Sequence, residues 1–412
     1  MVGAPGIAPS DKEILMDRLF GTGCVASVVV GVAIALAAPP PARAVLRRDD
    51  RPDSLYQALA TDYTPVLGSL AGASGTLIGD RWVLTAGHVV MNLSPFSRSF
   101  RLGEERYPIS DVYIYPGFAK MRGDGGGDRI DLEVPDMAIV RLARPVSGVV
   151  PALLHRVRDE GGLSIVVAGN GITGTGELGP VDEDGILRAA TNVVDEVSGR
   201  YFTFSFSAPG DSGVTDLEGI GGPGDSGGPA FVRGADGFEV LGVSSLNHQG
   251  DAAGPSCYHS AEVYASVPAS LAWIDEVLAG RGKPEPVLDV VRRVSDGWPD
   301  TPAGRLVSRW LDAYDRCDSL ALVAFEREFR ADSLLAKKSA EQRASSWLGY
   351  YKEWGRLDAA RWAETAGEPM RVLVHASGPD RWMRFDFRLQ PTPPYRLTGM
   401  ALNWPEDPPD DH

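Results

Sequence analysis

Cysteine is scarce in this chain: Cys24, Cys257 and Cys317 are the only three in 412 residues, with no CxxC spacing and no histidine pattern beside them. That encodes neither a zinc cage nor a disulfide scaffold and argues against a metal or thiol mechanism; no cofactor is implied. Positive charge is short as well, with 40 Lys and Arg against 55 Asp and Glu for a net charge of -15. Such a surface repels phosphate backbones and anionic lipid heads, so nucleic acid is a poor partner. Long apolar runs are missing too. The one stretch of any length, Val25 to Ala38, falls below the roughly 20 residues of a membrane-spanning helix. Lys12 and Arg18 precede it and Ala42-Arg43-Ala44 follows, the layout of a signal peptide cut after Ala44. On this reading the chain is secreted or periplasmic, begins at Val45 and keeps no stable membrane span after cleavage. Residues 1–44 carry three basic and three acidic side chains, so the charge stays at -15. Cys24 lies before the apolar run, which argues against a lipoprotein anchor.

The length, against roughly 100–200 residues per domain, leaves room for two or three domains. A hydrophobic content of 43% and a charged content of 23% are ordinary for a globular protein, while 48 Gly and 31 Pro point to many turns and a β-rich body. From Val66 to Val267, short β-branched runs such as SGTLIGD, RWVLTAG, MAIVRLA, LSIVVAG, YFTFSF and EVYASV alternate with Gly, Pro and Asp clusters. That spacing predicts an all-β barrel or sandwich. The first helical pattern is Pro268 to Leu278, with Leu271, Ile274, Val277 and Leu278 on one face, and it closes the domain. Residues 281–300 have the composition of a linker. Helical periodicity returns in Thr301–Tyr314, Ser319–Phe329 and Ser339–Trp354, followed by strand-like alternation in Arg371–His375, Trp382–Leu389 and Arg396–Asn403. Residues 301–408 are thus expected to form a smaller α+β domain, with 409–412 a polar tail.

Three separated segments carry the chemistry. Ser74 to His88 reads as a β-hairpin, turning at Gly79-Asp80, that delivers a histidine just past its second strand. Asp136-Met-Ala-Ile-Val-Arg-Leu142 puts a carboxylate at the mouth of a buried-type strand, where it costs several kcal/mol unless a donor reaches it. Gly222 to Val232 holds Ser226 in a glycine-walled turn before a strand. Such a turn exposes the hydroxyl and lets backbone N–H groups converge, as an oxyanion site requires.

Together these segments resemble the trypsin-like (chymotrypsin-fold) serine peptidases, with TAGH ending at His88, DMAIVRL starting at Asp136 and GDSGGP at 224–229. The order His, Asp, Ser, spaced by 48 and then 90 residues, excludes the α/β-hydrolase elbow, whose serine comes first. The resemblance covers residues 45–280 and implies an all-β double β-barrel. It makes Ser226 the nucleophile, His88 the general base and then acid, and Asp136 the carboxylate that orients the imidazole. The N–H groups of Gly224 and Ser226 would form the oxyanion hole. It also implies that a new N-terminal amine, here that of Val45, pairs with Asp225. Arg47-Arg48 stand where the family has Gly-Gly. In the specificity pocket Ile220 takes the place of the Asp of trypsin-type enzymes. Glu262 aligns with the far wall, either binding a basic side chain there or lying exposed on a strand end. Ser244-Ser245-Leu246 takes the place of a Ser-Trp-Gly strand, with Ser245 where Trp is usual. The family's usual disulfides are absent, and a Cys257–Cys317 bridge would tie the two domains together.

Gly210-Asp211-Ser212-Gly213 copies the start of the nucleophile motif, but no Gly-Pro follows, so Ser212 is expected in a surface turn. Asp131 is a weaker partner for the histidine than Asp136, and the Asp124-Gly-Gly-Gly-Asp128 run reads as a surface loop rather than a calcium site. His155, His248, His259, His375 and His412 read as structural or surface residues. Helices followed by an aromatic-rich sheet make residues 301–408 similar to cone-shaped NTF2-like modules, an accessory domain for an unknown ligand or protein. Three functions remain open: an exported endopeptidase acting on proteins or peptides, an esterase using the same triad, or a binding protein on an impaired peptidase scaffold.

Overall fold

The computed structural model describes residues 45–91, 93–96, 98–119, 131–182, 184–235, 237–248, 257–285, 290–364 and 369–406. The expected signal peptide, the Asp124–Asp128 run, His412 and the tail lie outside these residues, as does the side chain of His248. The chain divides into two compact units, one formed by residues up to Asn92 together with Ser99–Glu285, the other by Leu93–Arg98 together with residues from Pro286 onward.

The first unit begins with strand β1 (Leu46–Arg47) and helix α1 (Asp53–Ala60). The helix was not legible in the sequence, being barely two turns long, but Pro52 fixes its start and Asp53 sits at its positive end. Its buried face is Tyr56 and Ala60, one turn apart. Next come β2 (Leu67–Leu70), β3 (Ala73–Gly79), β4 (Trp82–Thr85), the short helix α2 (Gly87–Met91), β5 (Ser99–Leu102), β6 (Glu105–Ile114) and β7 (Ala138–Leu142). These six strands close into a barrel in the order β2-β3-β4-β7-β6-β5. In β7 every residue but Arg141 is buried, so the strand is apolar on both faces and its mouth is a low-dielectric place for Asp136.

The second half of this unit contains β8 (Leu153–Leu154), β9 (Ser164–Gly169), β10 (Thr173–Thr175), β11 (Gly179–Asp182), β12 (Arg188–Val193), β13 (Glu196–Ser198), β14 (Tyr201–Ser205), β15 (Gly219–Ile220), β16 (Pro229–Arg233), β17 (Phe238–His248) and β18 (Ala261–Ser266), then α3 (Leu271–Leu278). Eight strands make a curled sheet in the order β12-β9-β16-β17-β18-β14-β13, with β8 beside β17. A four-stranded sheet, β11-β10-β1-β15, places the first described strand in its interior. The expected double-barrel architecture is present, with the first barrel closed.

The second unit starts with β19 (Val290–Arg293), inside the stretch expected to be linker. Then follow α4 (Pro302–Asp315), α5 (Ser319–Phe329), α6 (Asp332–Leu335) and α7 (Ala340–Trp354). Side-chain caps from Thr301, Asp318 and Ser339 satisfy N–H groups at the starts of α4, α5 and α7. β20 (Leu357–Glu364), β21 (Met370–Ala376), β22 (Arg381–Leu389) and β23 (Leu397–Glu406) complete an antiparallel meander with β19. Trp310 and Tyr314 of α4 pack into its core with Phe385 and Phe387. Phe96, on the segment that follows α2 in the chain, joins Ala363 and Leu373 in a smaller apolar cluster of this unit. No disulfide joins Cys257 to Cys317, so the bridge considered between them is not formed. Among the described residues no helix is long and apolar enough to cross a membrane.

Candidate active site

Gly87 and His88 start the short helix that follows β4. The His88 backbone N–H donates to Asp136 Oδ1 at 2.9 Å, and His88 Nδ1 lies 2.6 Å from Asp136 Oδ2. A carboxylate only accepts, so Nδ1 is the donor in this contact. Asp136 is 5% exposed, and its burial is compensated by a third donor: Ser245 Oγ lies 2.8 Å from Oδ2. Three donors on one carboxylate meet the requirement set by the apolar strand it introduces.

That contact corrects the expected place of Ser245. Rather than forming pocket wall in place of a Trp, it belongs to the Asp136 cluster. The cause is a bulge: β17 pairs with β18 through Ser244↔Tyr264 and then Leu246↔Val263, leaving Ser245 as the extra residue. An extra residue re-aims its side chain, here onto the carboxylate.

Ser226 is half-buried in the turn between β15 and β16. Gly224 and Gly227 hold φ of +97° and +78°, which an L side chain rarely adopts. A Cβ on Gly227 would strike the Thr85 hydroxyl and the Ser74 carbonyl, so the turn lies directly against the end of β4, just before His88. Ser74 N donates to Ser226 O at 2.9 Å, which ties the nucleophile's backbone to the same hairpin.

Inside the turn most donors are engaged. Gly222 N reaches Asp225 Oδ2, Asp225 N reaches Gly222 O, Gly227 N reaches Ser244 O and Gly228 N reaches Asp225 O. Pro223 has no N–H. Among the described residues the N–H groups of Gly224 and Ser226 have no acceptor, which leaves two donors for a developing oxyanion.

Asp225 is buried, accepting Gly171 N at 2.6 Å and Gly222 N at 2.8 Å. Burial pushes its carboxyl well above the usual range, and the nearby Glu262 adds to the shift. A Cβ on Gly169 or Gly171 would run into that carboxyl, so the Gly169-Asn170-Gly171 run, passed over in the sequence, makes room for it. Val45 and Leu46 are buried in an apolar cluster with Ile220. Leu46 pairs with Ile220 across β1 and β15 and packs over Gly222, whose N–H is on Asp225. Arg47 and Arg48, in place of two glycines, are accommodated by partners: Arg47 Nε is 3.2 Å from Asp53, and Arg48 makes a two-pronged contact with Asp50 and reaches Thr215 O at 2.7 Å.

Of the expected pocket residues, Ile220 is fully buried in the apolar core with Val45 and Leu46. Glu262 is 2% exposed, against the alternative of a solvent-facing strand end. It accepts Gly221 N at 2.7 Å and Ser244 Oγ at 2.8 Å, and burial pushes its carboxyl up to about 7. Ser212 is exposed, and Asp131 receives the N–H of Glu133 in a tight turn, apart from the His88 contact. His155 sits between Glu239 and Asp159 at 2.7 and 2.8 Å, and His375 lies 2.8 Å from Asp380.

The family model that matches is Trypsin, over residues 58–274, just over half of the chain. Among solved structures the chain is similar to neuropsin, a serine protease expressed in the limbic system of mouse brain, with 19% identity and a TM-score of 0.40 over 57% of this chain and 99% of that one. On the family match, the chain belongs to the trypsin family.

Proposed function

We propose that the protein is a secreted serine endopeptidase that hydrolyses peptide bonds through an acyl-enzyme intermediate. The observation that carries this is the alignment of His88 on an Asp136 carboxylate held by three donors, beside a serine turn with two backbone N–H groups unspent. Ser226 Oγ attacks the scissile carbonyl while His88 Nε2 takes its proton. Asp136 stabilises the imidazolium through Nδ1–H, and the Gly224 and Ser226 N–H groups receive the oxyanion. His88 then delivers the proton to the leaving amine, and water repeats the sequence on the ester. The triad lies wholly in the first unit; the second, a cone-like α+β module, is accessory.

In this reading signal cleavage after Ala44 creates the active terminus. The Val45 amine then pairs with Asp225, whose buried carboxyl has, among the described residues, only backbone donors. Glu262 forms the polar base of the P1 pocket. It is bonded to Ser244, and the Ser244 backbone pairs with Gly227 and Gly228 beside the nucleophile.

The test is labelling with a fluorophosphonate probe of the chain starting at Val45, beside Ser226→Ala, Ser212→Ala and a form with one added residue before Val45. Labelling lost only in Ser226→Ala and in the extended form is the expected result. Labelling that survives extension removes the role of the Val45 amine. A folded wild-type chain that does not label replaces the enzyme with a peptidase-fold binding protein.

A further inference from the structure

We propose that Tyr201 is a positioning residue for the Asp136 carboxylate, and that the turn between β13 and β14 clamps the segment leading into it. The inference rests on the triad reading above. Its observation is a row of three contacts from that turn onto residues 132–136. Arg200 N donates to Leu132 O at 2.8 Å, Tyr201 Oη donates to Val134 O at 2.9 Å, and Asp136 N donates to Tyr201 Oη at 2.8 Å. Gly199 lies so close to Leu132 that a Cβ would strike its carbonyl, and its φ is +57°.

The phenol is 2% exposed, and its hydroxyl spends both its donor and its acceptor on this one segment. It is the only side chain whose contact reaches the Asp136 backbone among the described hydrogen bonds. The far side of the clamp is rigid: Tyr201 pairs with Ala265 across β14 and β18, and Ser266 N donates to Arg200 O at 2.8 Å. The segment is anchored on its other flank by Tyr115 N on Met137 O at 3.0 Å. The hairpin belongs to the eight-stranded sheet, whereas Asp136 introduces a strand of the closed barrel. The clamp therefore fixes one half of the site against the other. Without the hydroxyl, Asp136 keeps its bonds to His88 and Ser245 but loses the support that sets where those bonds point. A misplacement of about 1 Å can slow such a reaction on the order of a hundredfold.

The experiment measures the fluorophosphonate labelling rate against probe concentration for wild type, Tyr201→Phe, Thr203→Val on the same strand, and Ser226→Ala, with thermal melting of each. A one-dimensional proton spectrum records the far-downfield Nδ1 proton of His88. Tyr201→Phe is expected to lower the limiting rate about tenfold with little change in half-saturating probe concentration, and to move or broaden that proton. Thr203→Val leaves all three unchanged. An unaltered limiting rate overturns the proposal, as does a loss that appears only in half-saturation or only in step with melting. If Tyr201→Phe does not fold, Gly199→Ala, which pushes the turn off Leu132, must show the same loss of limiting rate or the proposal falls. Wild-type labelling that is lost in Ser226→Ala upholds the triad whatever Tyr201→Phe does, whereas no wild-type labelling removes both.

Discussion

The chain contains the tetrapeptide Gly-Asp-Ser-Gly twice, at 210–213 and at 224–227, and its glycines take nearly the same φ in both copies. The first glycines have φ of +100° and +97°, the last +80° and +78°. What differs is where each aspartate goes. Asp211 caps its own turn, accepting Ala208 N at 2.8 Å, and stays exposed. Asp225 points inward to Gly171 and Gly222 and is buried. Gly210 and Gly213 have nothing near their absent Cβ atoms, whereas Gly227 is pressed on the hairpin that delivers His88. Four residues specify a turn; chemistry comes from what the turn is packed against. The two residues that follow decide this, since Gly228-Pro229 leads into buried β16 and Val214-Thr215 does not.

The sharpest break of the comparison is the pair of serine variants. Ser226→Ala should cost on the order of 10⁶-fold in turnover, while Ser212→Ala leaves activity at the wild-type level, read by hydrolysis of a peptide ester and probe labelling. Equal losses would mean that packing does not separate the two turns.

A second contrast uses the glycines. Gly171→Ala drives a methyl into the Asp225 carboxyl and backbone, and we expect about 2–4 kcal/mol of destabilisation in urea unfolding together with loss of labelling. Gly210→Ala has open space and pays only for its positive φ, about 1 kcal/mol, with labelling intact. A mild Gly171→Ala would show that the Asp225 pocket is plastic.

How much of this could be read from the sequence follows the same division between local and packed. The strands of the first unit and the helices of the second carry their own periodicity, so Ala138–Leu142 and Ser319–Phe329 were visible in advance. His88 and Ser226 stood out because each follows or precedes a strand in a glycine-rich turn. Ser-Ser-Leu can be aligned with the family's Ser-Trp-Gly in two ways, and the bulge that brings the Ser245 hydroxyl to Asp136 has no local signal. Tyr201 looked like one more aromatic in YFTFSF; that its hydroxyl meets a segment 65 residues away in the chain is a tertiary fact without a local signal. Helix α1 was hidden for another reason, since two turns with one Tyr-Ala face give too little periodicity to register.

The smallest predicted effect separates the two aspartates by their neighbours. Asp225 shares its interior with Glu262, whose carboxyl burial raises from 4.5 to about 7, whereas Asp211 is exposed. Between about pH 4.5 and 7 the folded chain therefore holds a proton on Glu262 that the unfolded chain has released. Since the folded state binds more protons across that window, its stability falls as pH rises through it and levels off above, by at most about 3 kcal/mol from this group. Glu262→Gln keeps the size and one acceptor of the side chain but cannot ionise, so melting temperature should decline less between pH 5 and pH 8 than in wild type, by a few degrees. Asp211→Asn, at a solvent-facing turn, should leave the wild-type slope in place. A slope that survives Glu262→Gln would move the titration to Asp225 alone, and the buried pair would then act as one carboxyl under the nucleophile rather than two.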